Sequence, residues 1–509
     1  TYTVTYYSPS STTVYKQISV KEMDYFSTPA DPPAPTTTVV FDEWSLSSGT
    51  PVSPGYTKEN LVYNAKFKSA TFYTLTITGC KHGTPTISAP SGDIKGSLTP
   101  SSDGKCTIQI RNGTTFSVSM TTKGEYVFNG FKKSGGTTTT TKINETVKNS
   151  DLEYSVSWDA AIAQIEKTVG STATITYYRS VPDAFDAVQS NQTIRLLANS
   201  TTSRTATLSS SKTGVTLRMD GHEFMSPYSG SSHIALKNYG ELEVVGNGYK
   251  SESTIRAFYT DTISNYGKLK LDCITVERAI SAPTSNDNAI YNSSNGTVDI
   301  QGSNITSGTR YVINSAGTLN IYNSTQVIAT KNRGVYSTGT LNLSKATIKS
   351  TATEEPGERC NAITIMGGKF NMSGDPSNTI VTSQVSDAIH LSGSNTVANI
   401  TGGYVKSAAH AGIWVINDAT LYLRGSDSSG VSTTNPRIEG KTYAISLISI
   451  NSTTGLENEE GTLYFYGGRC IGYMSSDTKS ISYKKKMYSY SKGIHFERNG
   501  TTNTAYPNK

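Results

Sequence analysis

The chain is poor in charge. Asp, Glu, Lys and Arg make up 17% of its 509 residues, against about a quarter in an ordinary soluble domain. The formal net charge is only +6, and the one dense basic run is Lys484-Lys485-Lys486. A nucleic-acid binder gathers Lys and Arg on one face. The run is therefore read as a solvated turn, and no nucleic-acid partner is expected. Long apolar runs are missing too. No stretch nears the roughly 20 apolar residues of a membrane span, so these residues are not expected to insert into a membrane. No charged-then-apolar leader opens the chain, which starts at Thr1 and ends on Tyr506-Pro507-Asn508-Lys509. The expectation is a fragment of a longer protein, with export signal and anchor outside it.

Cysteine is scarce: Cys80, Cys106, Cys273, Cys360 and Cys470. The odd count excludes a fully paired framework. No two lie close enough in sequence for a zinc pattern, so neither a metal nor a cofactor is expected. Cys80 and Cys106 share one small domain. The sequence leaves open whether they pair or stand as separate buried thiols.

Thr, Ser, Asn, Gly and Tyr fill the space that charge leaves. Thr and Tyr suit pleated sheet, and Ser, Asn and Gly suit turns. The composition is that of an all-β chain of many short strands, long enough for several domains.

Residues 1–68 form a first module. Tyr2-Thr3-Val4-Thr5-Tyr6-Tyr7 alternates as a strand, and Val14 to Val20 reads as its hairpin partner. A Pro-rich connector from Pro29 to Pro35 follows. Then come Phe41-Asp42-Glu43-Trp44 and a closing strand, Leu61-Val62-Tyr63-Asn64-Ala65-Lys66-Phe67. This order resembles the internalin-type (Listeria–Bacteroides) B-repeat. That family has an opening Tyr-x-Val-x-Tyr/Phe strand, a Phe-x-Gly-Trp motif and a Tyr-x-Ala-x-Phe/Tyr strand; Glu43 stands where Gly is usual. The resemblance implies a small β-grasp-like spacer on a bacterial surface protein. Residues 69–157 resemble a divergent second copy. It opens on Phe72 to Ile77, followed by Gly113 to Met120. Tyr126-Val127-Phe128-Asn129-Gly130-Phe131 matches the middle motif, Thr137 to Thr141 reads as a polar loop, and Leu152 to Trp158 closes the copy.

Residues 158–509 are the third region. A short amphipathic helix is expected near 180–189, with Ser180 at the N-cap, Pro182 in the first turn and Asp183 at the positive end. Strands at Thr193 to Leu197 and Val215 to Gly221 come next. This succession resembles the capped start of pectin-lyase-like β-helices, and a second cap is expected near 470–509. A phrase then recurs, Gly-x-apolar-x-apolar. It stands at Gly240, Gly267, Gly296, Gly317, Gly339 and Gly368, at Ala419 in place of Gly, and at Gly461, with a degenerate copy at Ala398-Asn399-Ile400. Spacings of mostly about 21 to 29 residues fit one solenoid coil each. A lone coil cannot bury its apolar face, whereas stacked coils bury a continuous column. The fold class is therefore mostly β: a right-handed parallel β-helix behind two β-grasp-like modules.

The outward residue of each phrase reads Glu243, Lys270, Asp299, Asn320, Asn342, Asn371, Asn399, Tyr422, Tyr464. Such a ladder stabilises a surface by opposite-charge pairing and amide stacking, whether or not it binds anything. Outward aromatics are the binding candidates, because rigid rings give contact area at little entropic cost. They are Tyr291, Tyr336, His390 and Trp414 on the strand before each Gly turn. Tyr322, Tyr422, Arg424, Tyr464 and Tyr466 lie on the strand after it. Covering loops would leave them purely structural.

The β-helix class contains polysaccharide lyases and hydrolases, which need paired carboxylates, or Ca²⁺ carboxylates with a basic residue. The polygalacturonase-like set (Asn-Thr-Asp, Asp-Asp, Gly-His-Gly, Arg-Ile-Lys) is absent. Gly221-His222-Glu223 and Arg437-Ile438-Glu439 are its nearest fragments, and the pectate-lyase Arg-x-Pro-x-x-Arg element is missing. Glu354-Glu355 and Glu457 to Glu460 read as solvated turns, and Ser386 to His390 as a coil entry. No catalytic residue is assigned. The expected function is a non-catalytic adhesin on the bacterial cell surface. Its partner would be a host extracellular protein, for example a mucosal glycoprotein or immunoglobulin, or a glycan. A carbohydrate-active enzyme and a structural stalk are the alternatives.

Overall fold

The computed structural model describes all residues except 9–12, 23, 34–35, 37–38, 91, 170–171, 227–232, 250–251, 259, 280–286, 355–359, 428–429, 432–434, 448, 451–456, 459–460, 473–480, 483–486, 490–493, 500–501 and 508–509. The lysine run 484–486, Glu355, Glu459 and Glu460 thus lie outside the described residues. Two compact units emerge, Thr1–Ala160 and Ala161–Lys509.

The first unit holds two sheet modules. In the first, Tyr2–Tyr7 pairs antiparallel with Val14–Val20 and parallel with Leu61–Ser69, which pairs antiparallel with Val39–Ser48. Alternation points Val4 and Tyr6 into a small core with Val20, Phe26 and Leu61. The core is short of aliphatic volume, and rings complete it. Tyr6 stacks on Tyr63 at 5.2 Å and meets the edge of Trp44 at 5.0 Å between centroids. Such pairs add about 0.5–1.5 kcal/mol beyond their buried area.

The second module repeats that mixed order. Phe72–Thr78 lies between Cys106–Arg111 and Leu152–Ala160, and Tyr126–Lys133 pairs on the far side of the last. One sequence expectation changes here, the loop at Thr137 to Thr141. Thr115–Thr122 lies apart from the opening strand. It pairs with Gly83–Ser88 and Ile143–Thr146 in a separate three-stranded sheet. Phe116 and Val118 from that sheet close over Leu75, Ile77, Ile108 and Ile110, so the added sheet supplies the second wall of the core. Within the expected loop, Thr139–Thr140 pairs with Phe131 and Lys132.

The second unit is a right-handed parallel β-helix. Its described residues stack into sheets of 14, 13 and 11 strands, which form the three faces of a prism. Each coil runs from the third face through a tight turn to the first face, then to the second, and back by a loop of variable length. All nine copies of the recurrent phrase lie in consecutive order on the first face. Their paired apolar residues, such as Leu269/Leu271, Leu341/Leu343 and Phe370/Met372, are at most 2% exposed and share one core column. Burying each such side chain is worth about 1.5–3 kcal/mol.

The phrase begins on Gly because coils touch there. A Cβ on Gly317 would sit 2.1 Å from the carbonyl oxygen of Gly296, and one on Gly339 would sit 2.1 Å from that of Gly317. At these two turns only a residue without a side chain lets the coils stack at the sheet spacing of about 4.8 Å; farther along, Thr396 and Ala419 take the equivalent position. Beneath them runs a feature that sequence reasoning missed. Asn238 donates through Nδ2 to Asn265 Oδ1 (2.8 Å), Asn265 to Asn292 Oδ1 (2.9 Å), and Asn292 to Ser315 Oγ (3.0 Å). All four residues are fully buried. Their amides also bind turn carbonyls, so polar groups that face the core are satisfied.

The ends are capped. The one α-helix among the described residues, Val181–Ala187, has Ser180 Oγ accepting from the Asp183 N–H at 3.2 Å. Val181, Ala184, Phe185 and Val188 seal the core column. At the other end, Ile494–Asn499 and Thr502–Pro507 form a hairpin whose Ala505 enters the same core. No described helix is long and apolar enough to cross a membrane.

Candidate binding faces

On the third face, register runs Ser264, Tyr291, Asn314, Tyr336, Thr364, His390, Trp414, Ser446. These positions point outward between fully buried neighbours such as Ile290 and Asn292. Tyr291, Tyr336, His390 and Trp414 are each half-buried. His390 and Trp414 lie one coil apart and stack at 4.5 Å with planes 26° apart. Tyr291 and Tyr336 do not join them, because Thr364 intervenes. Tyr336 instead stacks at 4.9 Å on Tyr311, a ring the sequence did not single out. The Arg310 and Arg333 guanidinium groups lie over Tyr311 at 5.0 and 5.6 Å. Further along, Tyr266 stacks on Tyr239 at 4.7 Å.

The first face carries the expected ladder in register. Lys270 Nζ binds Glu243 at 2.6 Å, and Asn320 donates to Asp299 at 2.6 Å. The amides then link head to tail, Asn342 to Asn320 at 2.7 Å and Asn371 to Asn342 at 2.8 Å. Beyond Asn399, Tyr422 and Tyr464 stack at 4.8 Å with planes only 11° apart. The exposed Arg424 guanidinium lies over Tyr422 at 4.9 Å and over Tyr466 at 5.1 Å. Trp414 and Tyr422 belong to the same coil, on either side of the tight turn Asn417 to Ala419. Six of the nine candidates thus fall into two clusters on either side of one corner of the prism: His390 and Trp414 on the third face, and Tyr422, Arg424, Tyr464 and Tyr466 on the first. Tyr291, Tyr336 and Tyr322 stand apart from them. Flat rings beside a guanidinium can stack on a sugar or a side chain and hold an anion or a carbonyl.

Two shallow depressions mark the first face. One of about 270 Å³ lies over Glu243, Lys270 and Asp299. The other, about 400 Å³, lies over Asn320, Tyr322 and Asn342.

Three of the carboxylates in or near the catalytic-type fragments, Glu223, Asp387 and Glu439, make structural contacts. Glu439 is 2% exposed and accepts from the Tyr404 hydroxyl at 2.8 Å and from Arg437 Nε at 2.5 Å. Glu223 and Glu277 both pair with Arg256, at 2.9 and 2.8 Å. Asp387 is buried and accepts the Ala411 N–H at 3.0 Å, while His390 turns outward on the third face. No cluster of three or more His, Cys, Asp or Glu placed to hold a metal ion occurs among the described residues.

Cys80 and Cys106 are free, buried thiols in mutual contact. Burial pushes the Cys80 thiol up strongly, and the contact with Cys106 adds to it.

Compared with protein-family models, curated proteins and solved structures, the chain matches none of them.

Proposed function

We propose that this chain is the display portion of an extracellular bacterial surface protein, a non-catalytic adhesin or host-factor binder. On this reading the N-terminal modules are B-repeat-like spacers, and the solenoid belongs with pectin-lyase-like β-helices. The partner is a host extracellular protein, such as a mucosal glycoprotein or an immunoglobulin, or a glycan. The supporting observation is the aromatic and cationic corner at the C-terminal coils. His390, Trp414, Tyr422 and Tyr464 stack in pairs, and Arg424 crosses two rings. Interface anchors are enriched in Trp, Tyr and Arg. An interior needs no such surface, and a stalk alone gains little from leaving these rings half-exposed.

The test is capture from host secretions together with a glycan array, using the full chain and its Trp414→Ala and Tyr422→Ala variants. Loss of one anchor is expected to cost about 2 kcal/mol, or roughly thirtyfold in affinity. Capture that survives both substitutions would remove this corner from the reading. A chain that captures nothing would leave the structural stalk.

A further inference from the structure

The outer column beside the amide ladder changes size abruptly. Gln301 and Tyr322 are adjacent in register, and beyond Tyr322 the column drops to Ser344 and Ser373, themselves paired. Two serines following a tyrosine leave the hollow of about 400 Å³. Tyr322 forms one wall, and Asn320, Asn342 and Asn371 form the floor. That volume falls within the range of small-ligand sites, roughly 300–1,000 Å³.

The lining chemistry is narrow. Each floor amide spends one N–H and one oxygen lone pair on the ladder, so each keeps a second N–H and a second lone pair. Ser344 and Ser373 add hydroxyls, each both donor and acceptor. Asp299 is the one charged residue in the lining, and its Oδ1 already accepts from Asn320. The Tyr322 hydroxyl is pushed above its usual value by burial and then by Asp299, so it stays a neutral donor. The hollow therefore offers paired donors and acceptors at the coil repeat, one aromatic wall, one negative charge and no cation. An anion would meet the Asp299 carboxylate and no cation in the lining; Lys270, the register neighbour of Asp299 one coil away, is already paired with Glu243. An apolar side chain would strip water from amides and hydroxyls without replacing their hydrogen bonds.

We infer that this hollow is a subsite for a neutral sugar ring of a glycan, held by the amide ladder and the two serines against Tyr322. The inference deepens the surface-binder reading, on which it rests, by naming a ligand class and a second place on the solenoid.

The experiment titrates the full chain with glucose-, galactose- and N-acetylglucosamine-based oligosaccharides by saturation-transfer NMR, with polygalacturonate as the anionic probe. Three variants accompany it. Tyr322→Ala removes the wall, Ser344→Tyr fills the hollow without deleting a contact, and Tyr249→Ala removes an exposed ring that lines neither the hollow nor the C-terminal corner; Trp414→Ala is run alongside to report on the corner. Circular dichroism checks that each remains folded. Saturable binding of at least one neutral oligosaccharide is expected. Tyr322→Ala and Ser344→Tyr should each weaken it about tenfold or more, Tyr249→Ala should leave it unchanged, and polygalacturonate should not compete with it. The proposal is overturned if no neutral oligosaccharide binds, or if binding survives both hollow variants. Sugar binding lost only with Trp414→Ala would overturn it while leaving the C-terminal corner as the functional face.

Discussion

Replacing Asn265 with alanine tests whether the buried amide ladder holds the coils together. Asn265 accepts from Asn238 at 2.8 Å and donates to Asn292 at 2.9 Å, so the substitution cuts the ladder on both sides. It also strands the Asn292 oxygen and withdraws a donor from the Thr297 carbonyl at 3.1 Å. Two broken bonds at about 1 kcal/mol each, plus about 1–2 kcal/mol for acceptors left dry, give about 3–4 kcal/mol. Asn342 is the control. It also links two neighbours, but on the outer surface, where water replaces what is lost. There alanine should cost about 0.5 kcal/mol. Hydrogen exchange read by mass spectrometry over residues 263–272 reports local opening directly. The Asn265 variant should speed exchange there by roughly a hundredfold or more relative to the native chain, at tenfold per 1.4 kcal/mol. If Asn265→Ala costs no more than Asn342→Ala, the ladder is packing filler and the reasoning fails.

Other expectations follow from the same contacts. Gly339→Ala places a Cβ 2.1 Å from the Gly317 carbonyl. It should destabilise the solenoid by about 2–3 kcal/mol in chemical denaturation, at the upper end of overpacking costs; a neutral result would mean that the coils slide apart freely. Glu145 feels burial, which raises its carboxyl, but hydrogen bonds from Lys133 and Tyr154 and the nearby lysine charges outweigh it and hold the group below its usual value. Its stabilisation is present above the unfolded value of about 4.3 and is lost as pH falls through the lower folded value. Calorimetry from pH 6 to pH 3 should show an acid-sensitive transition in Thr1–Ala160 that Glu145→Gln flattens. Burial also pushes the Cys470 thiol up. Iodoacetamide at pH 8 should therefore modify the half-exposed Cys273 first and reach Cys80, Cys106 and Cys470 only after unfolding. Early native-state labelling of Cys470 would contradict the sealed core.

The solenoid was readable in the sequence because its cause is periodic. Gly recurs at most of the turns that touch, two apolar residues follow, and each copy therefore announces its coil. The helix was readable for a local reason: Ser180, Pro182 and Asp183 satisfy its first turn within a few residues. What escaped depends on neighbours far along the chain. Asn238, Asn265 and Asn292 read as ordinary turn formers, yet their role comes from partners 27 residues away. Their recurrence just before the turn glycine was the available signal. Tyr311 was passed over because its stacking on Tyr336 exists only between coils. The hollow at Tyr322 comes from a change of side-chain size between coils, which no single segment displays. In the second module, periodicity marked Thr115–Thr122 as a strand, but nothing local names the sheet it enters.

The coil-to-coil bonding has a mechanical consequence. Hydrogen bonds between successive coils lie along the axis of the stack, and the helix cap and the terminal hairpin close its opposite ends. A pull on the two ends loads these bonds in an unzipping direction, a few at a time. The coil from Thr318 to Thr340 holds 22 residues per register step and would pay out about 75 Å of slack once freed. Tension would therefore be met by a staircase of small yields, each extending the tether, instead of one abrupt rupture. Single-molecule stretching would resolve those steps, and their lengths would follow the spacing of the turn glycines.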